Sequence, residues 1–223
     1  MNGKRGLPLF INRENKLPVG AAMFLIAALL YLSSNRFHLF EPQLLPMTWI
    51  DRAVPFMPHS VWIYISEYIY FPLIYILCRD MENLNKYFYS FLGLQTVSVI
   101  IFWLWPTTFP RGDFPLPPDL DAATAFVFNS LRATDTPANC APSLHVSSVY
   151  LSAMIFLDEQ REKFPFFLIW GTAIAASTLP TKQHYIVDVV TGAMMAGFFW
   201  FIFHRWVPYR PVEGAASGDQ AKR

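Results

Sequence analysis

The stretch Tyr185-Ile186-Val187-Asp188-Val189-Val190-Thr191-Gly192-Ala193-Met194-Met195-Ala196-Gly197-Phe198-Phe199-Trp200-Phe201-Ile202-Phe203 holds 19 residues and a single charge. A run of that length and apolarity approaches the ~20 residues a helix needs to cross a hydrocarbon core. Its one carboxylate, Asp188, sits near the start, directly after Lys182-Gln183-His184. Ionisable groups at membrane depth are costly and mark functional sites. On a helix His184 and Asp188, four apart, lie on one face, where the carboxylate can hold one ring nitrogen protonated. The other nitrogen is then free to attack, the arrangement of a histidine nucleophile with an orienting acid.

Working outward, the rest of the chain matches a membrane setting. Of 223 residues 54% are hydrophobic and only 15% are charged, well below the ~25% of a soluble domain. Five more apolar stretches fall at about 19–32, 60–78, 87–105, 143–157 and 165–179. Several are nearer ~15 residues, so flanking residues or helix tops outside the core must complete them. Lys4, Arg5, Arg13 and Lys16 before the first stretch imitate a signal peptide, yet Ser33-Ser34-Asn35-Arg36 offers no small-x-small cleavage site. The expected fold is therefore all-α: a polytopic membrane protein with a six-transmembrane-helix bundle, a single domain over 1–211, and a disordered cytoplasmic tail at 212–223. A net charge of +1, with no basic run interleaved with aromatics, predicts no nucleic-acid partner. Two cysteines, Cys78 and Cys140, on opposite membrane faces cannot form a disulfide framework.

With six spans, 12 of the 17 Lys and Arg residues fall on the side that holds both termini. The positive-inside rule makes that side cytoplasmic and turns the loops before His145 and His184 toward the periplasm or lumen. The chain's size, and the absence of an obvious sorting signal, favour a bacterial inner membrane.

Two external regions are long. Residues 36–59 carry Pro42, Pro46, Pro55 and Pro58 and should form an irregular cap. Residues 106–142 open on Pro106-Thr107-Thr108-Phe109-Pro110-Arg111, which sets a guanidinium near the outer surface. Asp119 is then placed to cap a short interfacial helix over about 120–132, with Leu120, Ala123, Val127 and Leu131 on its apolar face. Turn chemistry accounts for Asp135 and Asn139. The region ends in Pro142-Ser143-Leu144-His145, so the external catalytic face is expected from 106–145 and 177–188. Below His145, Ser148 and Ser152 continue one helix face. Gly192 and Ala196 do so below Asp188, and Ala193 with Gly197 gives a second small-x-x-x-small spacing that favours close helix approach. Glu67 lies inside the second apolar stretch, where a carboxylate tends to be paired or protonated; it should bond a polar neighbour or shape a headgroup pocket. His38, His59 and His204 belong to no motif and are expected at the interfaces.

Together these residues resemble the type-2 phosphatidic acid phosphatase superfamily of integral-membrane lipid phosphatases and phosphotransferases. The family's Pro-Ser-x-His motif is matched by Pro142, Ser143 and His145, and its His-x-x-x-Asp by His184 and Asp188, with Ser177 seven residues before the histidine. Arg111 matches the arginine that ends the first motif. The lysine seven residues earlier is replaced by Leu104, the third motif's arginine by Thr178, and the glycine usual in the second motif by Leu144. Pro-Ser-Leu-His with Lys-Gln-His-Tyr-x-x-Asp is most similar to the branch that contains inositol phosphorylceramide synthases.

The resemblance implies a metal-independent phosphatase acting on a lipid phosphate or diphosphate, with no cofactor, through a phosphohistidine. His184 is the implied nucleophile, Asp188 its partner and His145 the acid–base group. Arg111, Lys182 and Ser143 are the implied phosphate ligands. A phosphotransferase that passes a phosphoryl or phospho-headgroup to an alcohol is the first alternative, since a phosphohistidine yields to water or alcohol alike. A metal-dependent membrane hydrolase is another, with His145, His184 and Asp188 as ligands and Glu67 as a further candidate, although no His-Glu-x-x-His cluster is present and Arg111 and Lys182 would oppose a cation. In each case the expected partners are a phospholipid-type substrate and the membrane lipids.

Overall fold

A computed structural model describes residues 6–212. The tail expected to be disordered lies outside the described residues from 213 onward. The described chain is built on helices: α1 (Lys16–Arg36), α2 (Trp49–Ala53), α3 (Val61–Ile65), α4 (Glu67–Leu77), α5 (Met81–Leu104), α6 (Ala122–Thr134), α7 (Leu144–Met154), α8 (Phe164–Ser177) and α9 (Ile186–Phe201). Four helical segments are long and apolar enough to cross a membrane, namely Lys16–Arg36, Pro58–Leu77, Met81–Leu104 and Ile186–Trp206. Helices α7 and α8 have only 11 and 14 residues. The outward faces remain apolar, as with Leu25 and Leu29 on α1, Ile69 on α4, Ile169 on α8 and Met194 on α9, all exposed. Water would penalise that surface, whereas lipid does not. The chain is a membrane protein of all-α type.

The stretch at 60–78 is expected as one helix and is observed as two. The Ser66 hydroxyl donates to the Ile63 carbonyl at 2.6 Å, and the Ser66 N–H bonds the same oxygen at 3.2 Å, tightening the turn between α3 and α4. Pro72 further interrupts α4 by removing a backbone donor. Tyr64 and Glu67, three apart across this turn, both face the bundle interior and are buried.

Helix α7 is the central strut, with Val146, Ser147, Val149, Ser152 and Ala153 inaccessible. Its polar face is satisfied by α5: Gln95 Nε2 donates to Ser148 Oγ at 3.0 Å, and the Tyr87 hydroxyl lies 2.8 Å from Ser152 Oγ. On the other side α9 approaches closely enough that a Cβ on Gly192 would stand 2.6 Å from the Ser143 carbonyl oxygen. The second small-residue spacing does not act this way, because a Cβ on Gly197 would meet nothing within 4 Å.

Two short parallel strand pairs mark the bundle's ends. Strand β1 (Leu7–Leu9) pairs with β4 (Tyr209–Pro211), while β2 (Gln43–Leu44) pairs with β3 (Thr107–Thr108). The 21 residues of α1 separate β1 from β2, about 31 Å of helix. The expected cap is present and pinned: the Met57 N–H donates to the Pro180 carbonyl at 2.8 Å, and Asp51 Oδ1 accepts the Ile186 N–H at 2.8 Å. The expected external helix is α6, but it starts at Ala122 and its cap is Asp121, which accepts the Thr124 N–H at 2.9 Å, rather than Asp119. Its buried face is Thr124, Phe128 and Leu131, packed with Val61 and Tyr64 of α3, while Ala123 is exposed. The packed face is thus centred about one residue on from the expected one, roughly 100° around the helix. Both cysteines are free and buried.

Candidate active site

The site lies where the start of α7, the loop before α9, the α3–α4 turn and the strap after α6 converge. Ser143 caps α7, its Oγ accepting the Val146 N–H at 3.2 Å, and its own N–H donates to the Asp188 carbonyl at 3.1 Å. His145 therefore emerges on the first turn of a helix tied to the first turn of α9.

His184 is not on α9, contrary to the expectation from spacing. It lies in the turn before the helix, where its N–H and that of Gln183 both donate to the Thr178 carbonyl at 3.2 and 3.0 Å. Asp188, in the first turn of α9, reaches back instead. Its Oδ2 accepts the Tyr185 N–H at 2.9 Å and lies 3.2 Å from His184 Nδ1. One carboxylate oxygen thus caps the helix and orients the imidazole. Negative charge is also favoured at that helix N-terminus.

With Nδ1 turned to Asp188, Nε2 of His184 faces His145 Nδ1 at 3.3 Å. A hydrogen bond there needs one proton between the two nitrogens. The far nitrogen of His145, Nε2, lies 2.5 Å from the Tyr64 hydroxyl and 3.3 Å from Glu67 Oε1. Tyr31 of α1 sets its ring edge-on to His145 at 6.2 Å, and its hydroxyl donates to the Asp135 carboxylate. The expected trio His184, His145 and Asp188 is thus gathered in one buried cluster. Glu67, expected from the sequence to bond a polar neighbour or shape a headgroup pocket, joins it, as does Asp135.

The three residues expected to bind phosphate are placed differently. Arg111 reaches the site's edge: one terminal nitrogen donates to the Arg132 and Asp135 carbonyls at 3.1 and 2.6 Å, and the other to Gln183 Oε1 at 3.2 Å, next to His184. Its buried Nε has no hydrogen-bond partner among the described residues. Lys182 turns away. Its ammonium donates to the Asp51 and Val54 carbonyls at 2.8 and 2.6 Å and sits over the Phe114 ring, clamping α2 to the loop. Burial lowers its proton affinity, opposed by the nearby Asp51. Ser143 serves α7 as its cap, with its hydroxyl hydrogen left as a donor. Asn139 ties the strap to α1 through Ser34 and Asn35, and Ser177 bonds back onto its own helix at the Ile174 carbonyl.

Tyr64, Tyr31, Gln183 and Asp51 were not singled out by the sequence. Nothing in their spacing marks Tyr64, Tyr31 or Asp51 before the chain folds. Among the described residues no group of three His, Cys, Asp or Glu side chains is disposed to hold a metal ion.

A profile of the PAP2 superfamily matches residues 19–202. That is most of the chain, and the protein belongs to this superfamily, which supports an activity of the phosphatase or phosphotransferase type. Searches of curated proteins and of solved structures found no match.

Proposed function

We propose that this member of the PAP2 superfamily is a metal-independent phosphatase of lipid phosphates or diphosphates, working through a phosphohistidine on His184. The observation that carries the reading is the opposed pair of imidazoles, with His184 Nδ1 on Asp188 and its Nε2 aimed at His145. The Asp188 carboxylate keeps the Nδ1 proton in place, so the Nε2 lone pair attacks phosphorus in line. His145 gives its Nδ1 proton to the leaving oxygen, then takes a proton from water as that water opens the N–P bond. Reacting atoms stand about 3 Å apart on each side of phosphorus, so the two rings must separate as substrate enters.

Arg111 supports the phosphoryl oxygens with its unpartnered Nε, and Ser143 adds its hydroxyl. The first amides of α7 have no acceptor inside the helix and suit an anion. Lys182 acts in this scheme as the clamp of the cap.

The same reading places six spans in the membrane, with α7 and α8 completed by their flanking turns. Pairing of β1 with β4 brings the two ends of the described chain together, as an even number of crossings requires. Arg13, Lys16, Arg79, Lys86, Arg161, Lys163, Arg205 and Arg210 gather toward that end and support its cytoplasmic orientation. The histidines then face the periplasm or lumen of a membrane that we take to be a bacterial inner membrane.

The test is turnover of lipid phosphates and phospholipids by the purified full chain in detergent with excess EDTA. Free phosphate that disappears in His184→Ala supports the phosphatase. New phospholipid without free phosphate, formed only when an alcohol is supplied, makes the enzyme a transferase. Turnover that appears only when metal is restored overturns the metal-independent mechanism.

A further inference from the structure

We infer that Glu67 is the positioning carboxylate of His145, so that the site is built from two matched dyads, Asp188–His184 and Glu67–His145. The inference rests on the mechanism proposed above and adds to it a residue from outside the three motifs.

The geometry is symmetric about the place where phosphorus would sit. On one side a carboxylate holds Nδ1 of His184 and leaves Nε2 facing inward. On the other Glu67 Oε1 lies 3.3 Å from Nε2 of His145 and leaves Nδ1 facing inward. Glu67 is 4% exposed, and its second oxygen, Oε2, has no hydrogen-bond partner among the described residues. A carboxylate in an apolar segment is costly unless paired, and its partner here is the acid–base histidine. The break at Ser66 turns α4 so that its first residue faces α7.

Other groups surround the same ring. Tyr64 of α3 shares Nε2 with Glu67, and Tyr31 of α1 stacks edge-on. Asp135, from the strap after α6, engages the Tyr31 hydroxyl. His184, backed by Asp188, faces Nδ1. Among these acids Glu67 is the one in ion-pair contact with the His145 ring.

The proton inventory shows what Glu67 does. His145 starts as imidazolium, with Nδ1–H inward and Nε2–H toward Glu67. As His184 Nε2 bonds to phosphorus and the P–O bond breaks, the Nδ1 proton passes to the leaving oxygen. Neutral His145 then keeps its proton on Nε2, held by Glu67, and presents an Nδ1 lone pair. That lone pair takes a proton from water while the water oxygen bonds to phosphorus, the N–P electron pair returns to His184, and phosphate departs. Without a carboxylate at Nε2 the neutral ring divides between two tautomers, and the one protonated on Nδ1 cannot accept water's proton. A wrong tautomer leaves geometry intact and removes catalysis.

The experiment compares Glu67→Gln and Glu67→Asp with wild type in the full-length protein in detergent. One substrate is a short-chain phosphatidic acid, whose alkoxide needs a proton to leave. The other is p-nitrophenyl phosphate, whose phenolate leaves unaided. For Glu67→Gln we expect kcat on the lipid phosphate to fall about 100-fold or more. The first-turnover burst of p-nitrophenolate should survive, followed by slow turnover and an acid-labile phosphoenzyme. Glu67→Asp should recover part of the loss. The ratio of lipid-phosphate turnover to the p-nitrophenolate burst, taken on one sample, is independent of how much protein is folded. Loss of the p-nitrophenolate burst along with lipid turnover, or no loss on either substrate, would overturn the inference. Wild-type protein with no His184-dependent turnover would sink the underlying mechanism, a result distinguishable from failure of the Glu67 variants.

Discussion

The carbonyl oxygen of Ser143 lies where a methyl group on Gly192 would come within 2.6 Å of it, and Val146 Cβ would stand 3.1 Å away. Helices α7 and α9 meet at that point, one turn from His145 and from Asp188. Gly192→Ala must therefore push the two helices apart. Overpacking of this kind costs about 1–3 kcal/mol, and here it also moves His145 off His184. We expect a lower Tm in detergent and at least about a tenfold loss of phosphate release. Gly197→Ala, which meets nothing, should be neutral or slightly stabilising, as alanine in a helix usually is. Equal behaviour of the two variants would refute the close-contact argument.

Asp188 has two tasks that substitution can separate. In Asp188→Asn the amide oxygen can still accept the Tyr185 N–H, so the start of α9 should hold. The negative charge facing His184 Nδ1 is gone. Activity should fall about 100- to 10,000-fold, with little change in Tm. A variant that lost stability and activity together would show the carboxylate to be mainly a cap.

Arg111 and Lys182 should part company in kinetics. Lys182→Met removes a charged donor from the Asp51 and Val54 carbonyls, which should cost about 1.5–3 kcal/mol of stability. Because that ammonium points to the cap, KM should change little. Arg111→Lys keeps the charge but loses the planar fork that holds two carbonyls and Gln183. Its loss should appear in kcat/KM while the unfolding midpoint moves less than for Lys182→Met.

Helix α6 should fray in acid. Asp121 has its carboxyl held below the usual carboxylate range by the Thr124 N–H and, less strongly, by His59. A group whose folded pKa is depressed contributes stability above its unfolded value of about 3.9, lost as pH falls through the folded pKa. Hydrogen exchange of the Thr124 amide, corrected for intrinsic rate, should accelerate below about pH 4. Asp121→Ala should show the same loose helix at neutral pH and no further acid step. Acid loosening that persists in Asp121→Ala would assign it to another group.

Much of the site was legible because it depends on local chemistry. His184 and Asp188 remain partners whether or not the histidine is on the helix, since a capping carboxylate three residues beyond the N-cap reaches back as far as one on a helical face. Spacing alone gives the wrong reason for their contact, because helix ends depend on which backbone groups find outside acceptors. Thr178, which receives the His184 N–H, is such an acceptor. Lys182 shows a similar limit: a cation two residues before His184 suggests a phosphate ligand, yet its long stem reaches a carbonyl pair contributed by residues more than a hundred positions earlier. Glu67 announced itself as a carboxylate in an apolar run, but its partner did not.

By itself, the amino-acid sequence determined that this chain is a helical membrane protein, which helix carries the Asp188 carboxylate, and which two histidines belong to one face of the bundle. Apolar run length and residue type decide those matters, and both are local. Tertiary structure alone decided which nitrogen of each imidazole faces inward, that Arg111 joins the site while Lys182 leaves it, and that Tyr64 and Glu67 stand behind His145. Those facts depend on angles and distances between α3, α4, α7 and α9, set by the Ser66 turn and the Gly192 contact. No pairwise spacing along the chain encodes them.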